Sequence, residues 1–427
     1  MDFIEELRWR GMLFDLTPGV EEHLSSGKRI AYIGFDPTAA SLTIGNYVQI
    51  MLLSLFQKHG HTPVVLMGGA TGRIGDPSFK DKERELKPEA EIERNLHKQA
   101  EQIKKMLAFE GVSNPAILID NYDFYRNMGA IEFLRDVGKS LTINYMMAKE
   151  SVKKRIETGL SFTEFSYQLL QGHDFQCLYE QHGVTIQMGG SDQWGNITTG
   201  TEIIRRNTEG KAYAITTPLL TKADGSKFGK SESGNLWMDE SLSSPYEFYQ
   251  FWINADDRDI SKYIRYFTFR SQEEVERAEI EYAENPQGLK QWFGRELTAR
   301  IHGEDNLEAV IEVSEMLFDP NVDNDFLCQM SPLSFQIIKN EIHNYTILMA
   351  THEAELSLVD LLTEKTTVFL SKSAARRAIE GNAVTINKLR VADVNRTIHG
   401  YNDWICDRFM ILENGRKNKI LIERIVG

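Results

Sequence analysis

"RIAYIGFDPTAASLTIGNYVQI", Arg29 to Ile50, decides the fold. Its first third, RIAYIGF, is a continuous apolar run, the pattern of a strand covered on both faces in a parallel sheet. A Pro-containing loop follows. SLTIGNYVQI then reads as a helix start, with Ser41 or Thr43 placed to cap it and Tyr47, Val48, Ile50 and Met51 in an apolar helical rhythm. Strand, short loop and helix N-terminus is an arrangement in which α/β proteins hold phosphate groups. The plainer reading is an ordinary connection between a strand and a helix. The loop carries no Lys, Arg or His, so the charge of a bound phosphate would have to be met from elsewhere.

The same alternation continues outward. TPVVLMGG (62–69), PAILIDN (115–121), GVTIQMGG (183–190) and AYAITTPLL (212–220) are strand candidates. Helical stretches run over about Thr43–His59, Lys87–Phe109 and Ile131–Gly172. The pattern predicts an α/β fold, a Rossmann-like doubly wound parallel sheet with a longer insertion in its middle. After Asp239 the apolar spacing turns helical, as in SPYEFYQFWIN and QGLKQWFGRELTARIHG. The expected organisation is a catalytic domain over 1–238, an α-helical domain over 239–320, a linker over 321–355 rich in Asp, Asn, Ser and Pro, and a small α+β domain over 356–427.

Composition bounds the function classes. The chain has 427 residues, 41% hydrophobic and 26% charged, enough for several domains. Its three cysteines, Cys177, Cys328 and Cys406, suit neither a disulfide framework nor a zinc spacing. With no signal-peptide pattern and no 18-residue apolar run, the cytoplasm is the expected compartment and no membrane partner is expected. The net charge of −14 argues against a general nucleic-acid binder, but residues 356–427 carry 12 basic against 8 acidic groups. Only some surfaces, the tail above all, are suited to a polyanion.

Several motifs carry chemistry. MGGATGRIGDP (67–77) brings a glycine-rich turn and Asp76, which reads equally as an anchor for a cation and as a turn former. In QMGGSDQWGN (187–196), Asp192 can accept from ribose hydroxyls or simply cap a helix; the two readings stand about even. TKADGSKFGKSESG (221–234) is a Gly/Ser-rich loop at the C-terminal edge of the sheet, with Lys222, Lys227 and Lys230. Two lysines three apart can close over a developing pyrophosphate, the plainer reading being a solvated basic loop. In FTEFSYQLLQGHD (162–174), Tyr167, Gln171 and Asp174 share one face of a mostly apolar helix, which reads as a pocket for a polar ligand if that face is buried and as a solvated stripe if it is not. The histidines show no metal-ligand spacing, and no metal site is expected.

Together these motifs are far more specific than any one of them. YIGFDPTAASLTIGN, GGATGRIGDPS, FLRDVGKSLTINYMMAKESVKKRIETGLSFTEFSYQLLQGHDF, IQMGGSDQWGNI, TKADGSKFGKSESG and SPYEFYQFWIN resemble the bacterial tyrosyl-tRNA synthetases, class I enzymes, over nearly the whole chain. SKSAARRAIEGNAVTINKLRV in the tail resembles an S4-type RNA-binding domain. The resemblance implies a tyrosine–tRNA ligase that forms tyrosyl-adenylate from L-tyrosine and ATP with Mg²⁺, then charges tRNA(Tyr). It implies that Tyr32 and Asp174 hold the substrate phenol, that Asp76, Tyr167 and Gln171 hold its ammonium group, and that Gln193 lies near its carboxylate. For ATP it implies Gly34, Asp36, Gly45, Asn46, Gly190, Asp192 and Lys230. Thr38, Thr43, Lys227, Lys230, Lys80 and Arg84 would act on the phosphates, and the enzyme would work as a homodimer.

One position departs from the family pattern. The usual signature is His-Ile/Leu-Gly-His or -Asn, whereas this chain has Thr43-Ile44-Gly45-Asn46. Thr43 offers one short hydroxyl and no imidazolium. The competing readings are the sister enzyme for tryptophan, disfavoured by the Tyr32/Asp174 pair, and a degenerate RNA-binding protein, disfavoured by the intact remaining motifs.

Overall fold

The structure is a computed structural model that describes residues 1–427 except 77, 79–85, 150–151, 154–155, 157–158, 232–233, 350–354, 400–402, 416–417 and 427. The chain forms two compact units, Met1–Ser243 with Ile253–Phe293, and Ser244–Trp252 with Gly294–Gly427. The stretch read as one helical domain, 239–320, is thus shared between them. Among the described residues no helix is long and apolar enough to cross a membrane.

The first unit is built on a six-stranded sheet: β1 (Asp15–Leu16), β2 (Ile30–Phe35), β3 (Thr62–Met67), β4 (Ile117–Asp120), β5 (Ile186–Gly190) and β6 (Tyr213–Thr217), in the order β1-β6-β5-β2-β3-β4. The five strands read from the sequence are all present and parallel. The sixth, β1, is an antiparallel edge strand against β6 that two residues are too short to announce. Every residue of β3, β5 and β6 is buried, which is why these strands carry no charged residue. Chain order runs outward from β2 through β3 to β4 and from β5 to β6 on the other side. The winding therefore reverses between β2 and β5, and their carboxyl ends open a crevice there.

The helix at Ile44–Lys58 buries Ile44, Tyr47, Val48 and Ile50–Phe56. Thr43 caps it in a capping box with Asn46: Thr43 Oγ1 accepts from the Asn46 amide, and the Thr43 amide donates to Asn46 Oδ1 at 3.0 Å. The charged stretch after Lys87 is helical over Glu89–Lys104. The central insertion is less regular than its apolar rhythm suggests, with short helices at Tyr122–Tyr125, Ala130–Asp136 and Ile143–Met147 before the long helix Phe162–His182. That helix packs on Trp194–Thr208. A Cβ on Gly172 would lie 2.7 Å from Ile203 Cδ1, so the close approach of the two helices requires glycine there. Past β6, two short strands, β7 (Lys230–Ser231) and β8 (Gly234–Asn235), form a hairpin.

The second unit carries β9 (His343–Met349), β10 (Glu355–Ser357), β11 (Val384–Ile386), β12 (Leu389–Arg390), β13 (Thr397–His399), β14 (Phe409–Asn414) and β15 (Asn418–Val426). Five of them make a sheet in the order β12-β11-β14-β15-β9, with β9 parallel to β15. The helix Lys372–Glu380 adds Ala375 and Ile379 to a core shared with Leu358, Leu361, Val384, Met410, Leu412 and Ile422. The stretch read as a linker is structured. Asp323 caps a helix at Asn324–Gln329, and Ser331 with Pro332 starts another at Pro332–Glu341. Its Asp, Ser and Pro, which read as loop formers, are helix-starting residues, and β9 belongs to the sheet.

Candidate active site

A cleft of about 870 Å³ opens at the carboxyl ends of β2 and β5. Tyr32, Gly34, Asp36, Thr38, Thr43, Gly45, Asn46, Asp76, Tyr167, Gln171, Asp174, Gly190, Asp192, Gln193 and Lys227 all line it. The fold thus brings into one cleft residues far apart in the chain, such as Tyr32 and Lys227, which are 195 positions apart. Lys230, on β7, is exposed and stands outside the cleft wall. Lys80 and Arg84 lie outside the described residues.

The floor of the cleft is closed and polar. Tyr32, pointing from β2, is buried edge-to-face against Phe175, and its hydroxyl has no hydrogen-bond partner. Asp174, on the Phe162–His182 helix, is 1% exposed. Its Oδ1 accepts from the Tyr125 hydroxyl at 2.7 Å and its Oδ2 from Asn121 Nδ2 at 2.9 Å. Burial nevertheless raises this carboxyl to about 7, against the lowering effect of the two bonds, with the negative charges of Asp36 and Asp120 adding to the rise. Burial, helped by Asp174, pushes the Tyr32 phenol well above its usual range. A buried carboxylate beside an unpartnered hydroxyl suits a ligand group that donates one hydrogen bond and accepts another.

Higher in the cleft, Tyr167 donates to Asp36 Oδ2 at 2.8 Å and Thr71 donates to Asp36 Oδ1 at 2.6 Å. Asp76 accepts from the Ser78 amide at 2.9 Å and from Gln193 Nε2 at 2.8 Å. Gln171 Oε1 is buried with no partner. Asp36, Asp76 and Asp174 all act on the Tyr167 phenol, which burial first and these charges next push far up. This wall holds negative charge and fits a cationic group. The glycine pair 68–69 serves the acids directly: a Cβ on Gly68 would fall 2.1 Å from Asp36 Oδ1, and one on Gly69 2.1 Å from Asp120 Oδ1. From the sequence these glycines suit either a close approach to a ligand or a tight turn; in the structure they make room for two carboxylates.

At the mouth stand the Ile44–Lys58 helix start and the loop that contains Lys227. Gly45 and Asn46 are exposed there. The loop is docked on the helix start: the Leu236 amide donates to Gly229 O at 2.9 Å, and the Ile44 amide donates to Leu236 O at 2.9 Å. Phe228 is buried, its ring stacked 5.6 Å from Phe267. Gly229 has a φ of +78°, and a Cβ there would lie 2.9 Å from Ile44 Cγ2. Thr43 serves as the cap of this helix, the use that its hydroxyl has in common with many helix starts.

Residues 25–319 match the family model of class I tRNA synthetases for tryptophan and tyrosine, and residues 338–422 match that of a tyrosine–tRNA ligase C-terminal domain. The chain belongs to the tyrosine–tRNA ligase family. It is 48% identical, over 99% of both chains, to the tyrosine–tRNA ligase of Cytophaga hutchinsonii, and 47% identical, over 99% of both, to that of Porphyromonas gingivalis. Among solved structures it is similar to the C-terminally truncated mitochondrial tyrosyl-tRNA synthetase of Aspergillus nidulans. That match has a TM-score of 0.68 and 28% identity, and covers 74% of this chain and 94% of that one.

Sequence reasoning missed three groups at the floor of the tyrosine–tRNA ligase cleft: Thr71 and Asn121, which line it, and Tyr125, which backs it. Asn121 and Tyr125 follow β4 and both reach Asp174, and Thr71 ties Asp36 to Asn121 through a 3.0 Å bond from Asn121 Nδ2. The signal for Asn121 was its place directly after a strand, β4. Tyr125, in a short helix among exposed residues, gave none.

Proposed function

We propose that the cleft of the first unit carries out both steps of tyrosine–tRNA ligation, with the residues in the following roles. The enzyme joins L-tyrosine to tRNA with ATP, forming tyrosyl-adenylate and pyrophosphate first. The substrate phenol enters the floor, donates to Asp174 and accepts from Tyr32. Its ammonium group lies against Asp76, Tyr167 and Gln171, with Gln193 near the carboxylate. Asp36, read as an ATP contact, also belongs to this wall through its bond to Tyr167. Gly190 and Asp192 take the ATP ribose, and Gly34, Thr38, Gly45 and Asn46 line the path of the phosphates.

The carboxylate oxygen of tyrosine then attacks the α-phosphorus, the bond to the bridging oxygen breaks, and pyrophosphate leaves with both electrons of that bond. No protein nucleophile is needed, so positioning and charge stabilisation dominate. Mg²⁺ enters on the ATP phosphates. Lys227 and Lys230, with Lys80 and Arg84, meet the growing charge of the leaving group, and Thr43 adds a hydroxyl where the family signature has histidine. In the second step the ribose hydroxyl of the terminal adenosine attacks the carbonyl carbon and AMP leaves. Residues 239–320 and the basic tail 356–427 receive the tRNA. The exposed Ile131, Leu134, Ile143 and Phe162 support a homodimer through the central insertion. The protein works in the cytoplasm.

The observation that carries the reading is the buried Asp174 beside the unpartnered Tyr32 hydroxyl. Phenylalanine would leave both unmatched, the form of discrimination for which tyrosyl-tRNA synthetases are the standard case. ATP–pyrophosphate exchange with tyrosine, phenylalanine and tryptophan tests it. Exchange is expected with tyrosine alone, and equal exchange with tryptophan, or none with tyrosine, would sink the reading.

A further inference from the structure

Tyr125 touches the floor of the cleft from behind. It does not line the cleft, yet its hydroxyl lies 2.7 Å from Asp174 Oδ1 and 2.9 Å from Leu170 O. One hydroxyl proton serves one acceptor at a time, and the carboxylate is the stronger of the two. The ring is held edge-on by His173 at 5.7 Å and by Phe133 at 6.3 Å, so the hydroxyl has little freedom to leave. Asn121, four residues earlier, holds the other carboxylate oxygen and is itself tied to Thr71 and to the Ala70 amide. The segment after β4 therefore grips both oxygens of Asp174.

We infer that Tyr125 is a positioning residue for the specificity centre: by donating to Asp174 Oδ1 it keeps the carboxylate oriented and ionised as the acceptor of the substrate phenol, and so sets the preference for tyrosine over phenylalanine. The inference rests on the proposed role of Asp174. A carboxylate oxygen has a second lone pair, so the bond to Tyr125 leaves room for the substrate. The groups facing Asp174 are Tyr32 from β2, Asp36 after it, Asp120 at the end of β4, and Tyr167 and Cys177 on its own helix. All are acids, and none relieves a negative charge. Without the Tyr125 proton, Asp174 keeps one donor and is protonated more readily. A protonated Asp174 presents a donor, and so does Tyr32. The substrate hydroxyl then meets a neutral carbonyl oxygen in place of a charged acceptor, so its hydrogen bond weakens and the advantage of tyrosine over phenylalanine falls with it.

The test is Tyr125→Phe in the full-length protein, with Tyr125→Leu as a second variant, followed by ATP–pyrophosphate exchange with tyrosine and with phenylalanine over pH 6–9. For tyrosine at pH 7.5, kcat/KM is expected to fall about 10-fold or more, chiefly in KM. The phenylalanine value should stay within about 2-fold, as should the KM for ATP, because neither ligand is held through Tyr125. The acid limb of the tyrosine profile should move up by about one pH unit, a shift that a merely structural role would not cause. Equal losses for the two amino acids, or an unmoved limb in both variants, would overturn the inference. Asp174→Asn separates the two layers. If it collapses discrimination while Tyr125→Phe does not, only the role of Tyr125 fails. If Asp174→Asn leaves the tyrosine-to-phenylalanine ratio unchanged, the role of Asp174 fails and this one with it.

Discussion

Replacing Asp174 by Asn is expected to stabilise the substrate-free protein at alkaline pH while destroying its selectivity. In the folded chain the carboxyl sits at about 7, against an ordinary value of 3.8. About three units at ~1.4 kcal/mol each is a penalty of ~4 kcal/mol for keeping this group ionised in the native state. The sign follows from the direction of the shift. The folded protein holds the proton more tightly than the unfolded chain, so its stability is fully present below about pH 4, falls between about pH 4 and 7, and stays low above that. Asn does not titrate and lacks this slope. Its amide must face one of the two donors. The Tyr125 hydroxyl can turn to Leu170 O, 2.9 Å away, and accept from the new amide, so the exchange costs about 1 kcal/mol. The net gain is then ~2–3 kcal/mol at pH 8 and close to zero at pH 5, or about 4–6 °C in the midpoint of the first unit at pH 8. Thermal melts of both proteins from pH 5 to 8.5, without substrates, read it directly. Parallel curves, with a difference independent of pH, would refute the reasoning. A stabilised but unselective variant would show that the ionised, buried acid is retained for binding, at a cost in stability.

Two further outcomes follow from the mouth of the cleft. Gly229→Ala puts a Cβ 2.9 Å from Ile44 Cγ2 in a backbone at φ +78°, so the loop can no longer dock as it does here. Pyrophosphate exchange should slow at least ~10-fold while tyrosine affinity, measured by calorimetry, stays within about 2-fold; an unchanged rate counts against a working role for the docked loop. Thr43→Ala removes the cap of the Ile44–Lys58 helix, costing ~1 kcal/mol of stability, and is expected to slow adenylate formation with tyrosine affinity nearly unchanged. An equal loss of tyrosine binding in equilibrium dialysis would contradict the placement of Thr43 at the phosphate end.

By itself the sequence determined the architecture of the sheet, because β3, β5 and β6 are buried at every position and such strands exclude charged residues. It also singled out Asp76, Tyr167, Gln171, Asp174, Asp192 and Lys227, since acids after glycine turns, polar groups on one helix face and a basic loop after a strand are local signals; Tyr32, Thr38 and Gln193 came only through the family resemblance. What it left to the tertiary structure was pairing. β1 acquires its meaning only from β6, and the Asp, Ser and Pro of residues 321–355 become helix starts only when the following residues find a core to cover. Asp36 and the glycine at 68 are explained by each other across a sheet edge, not by their neighbours in the chain. Tyr125 is the plainest case: its hydroxyl meets a carboxylate 49 positions away, and no spacing in the sequence encodes that contact. The strength of such a group comes from the low-dielectric surroundings that the whole fold creates, so its role is a property of the packed molecule.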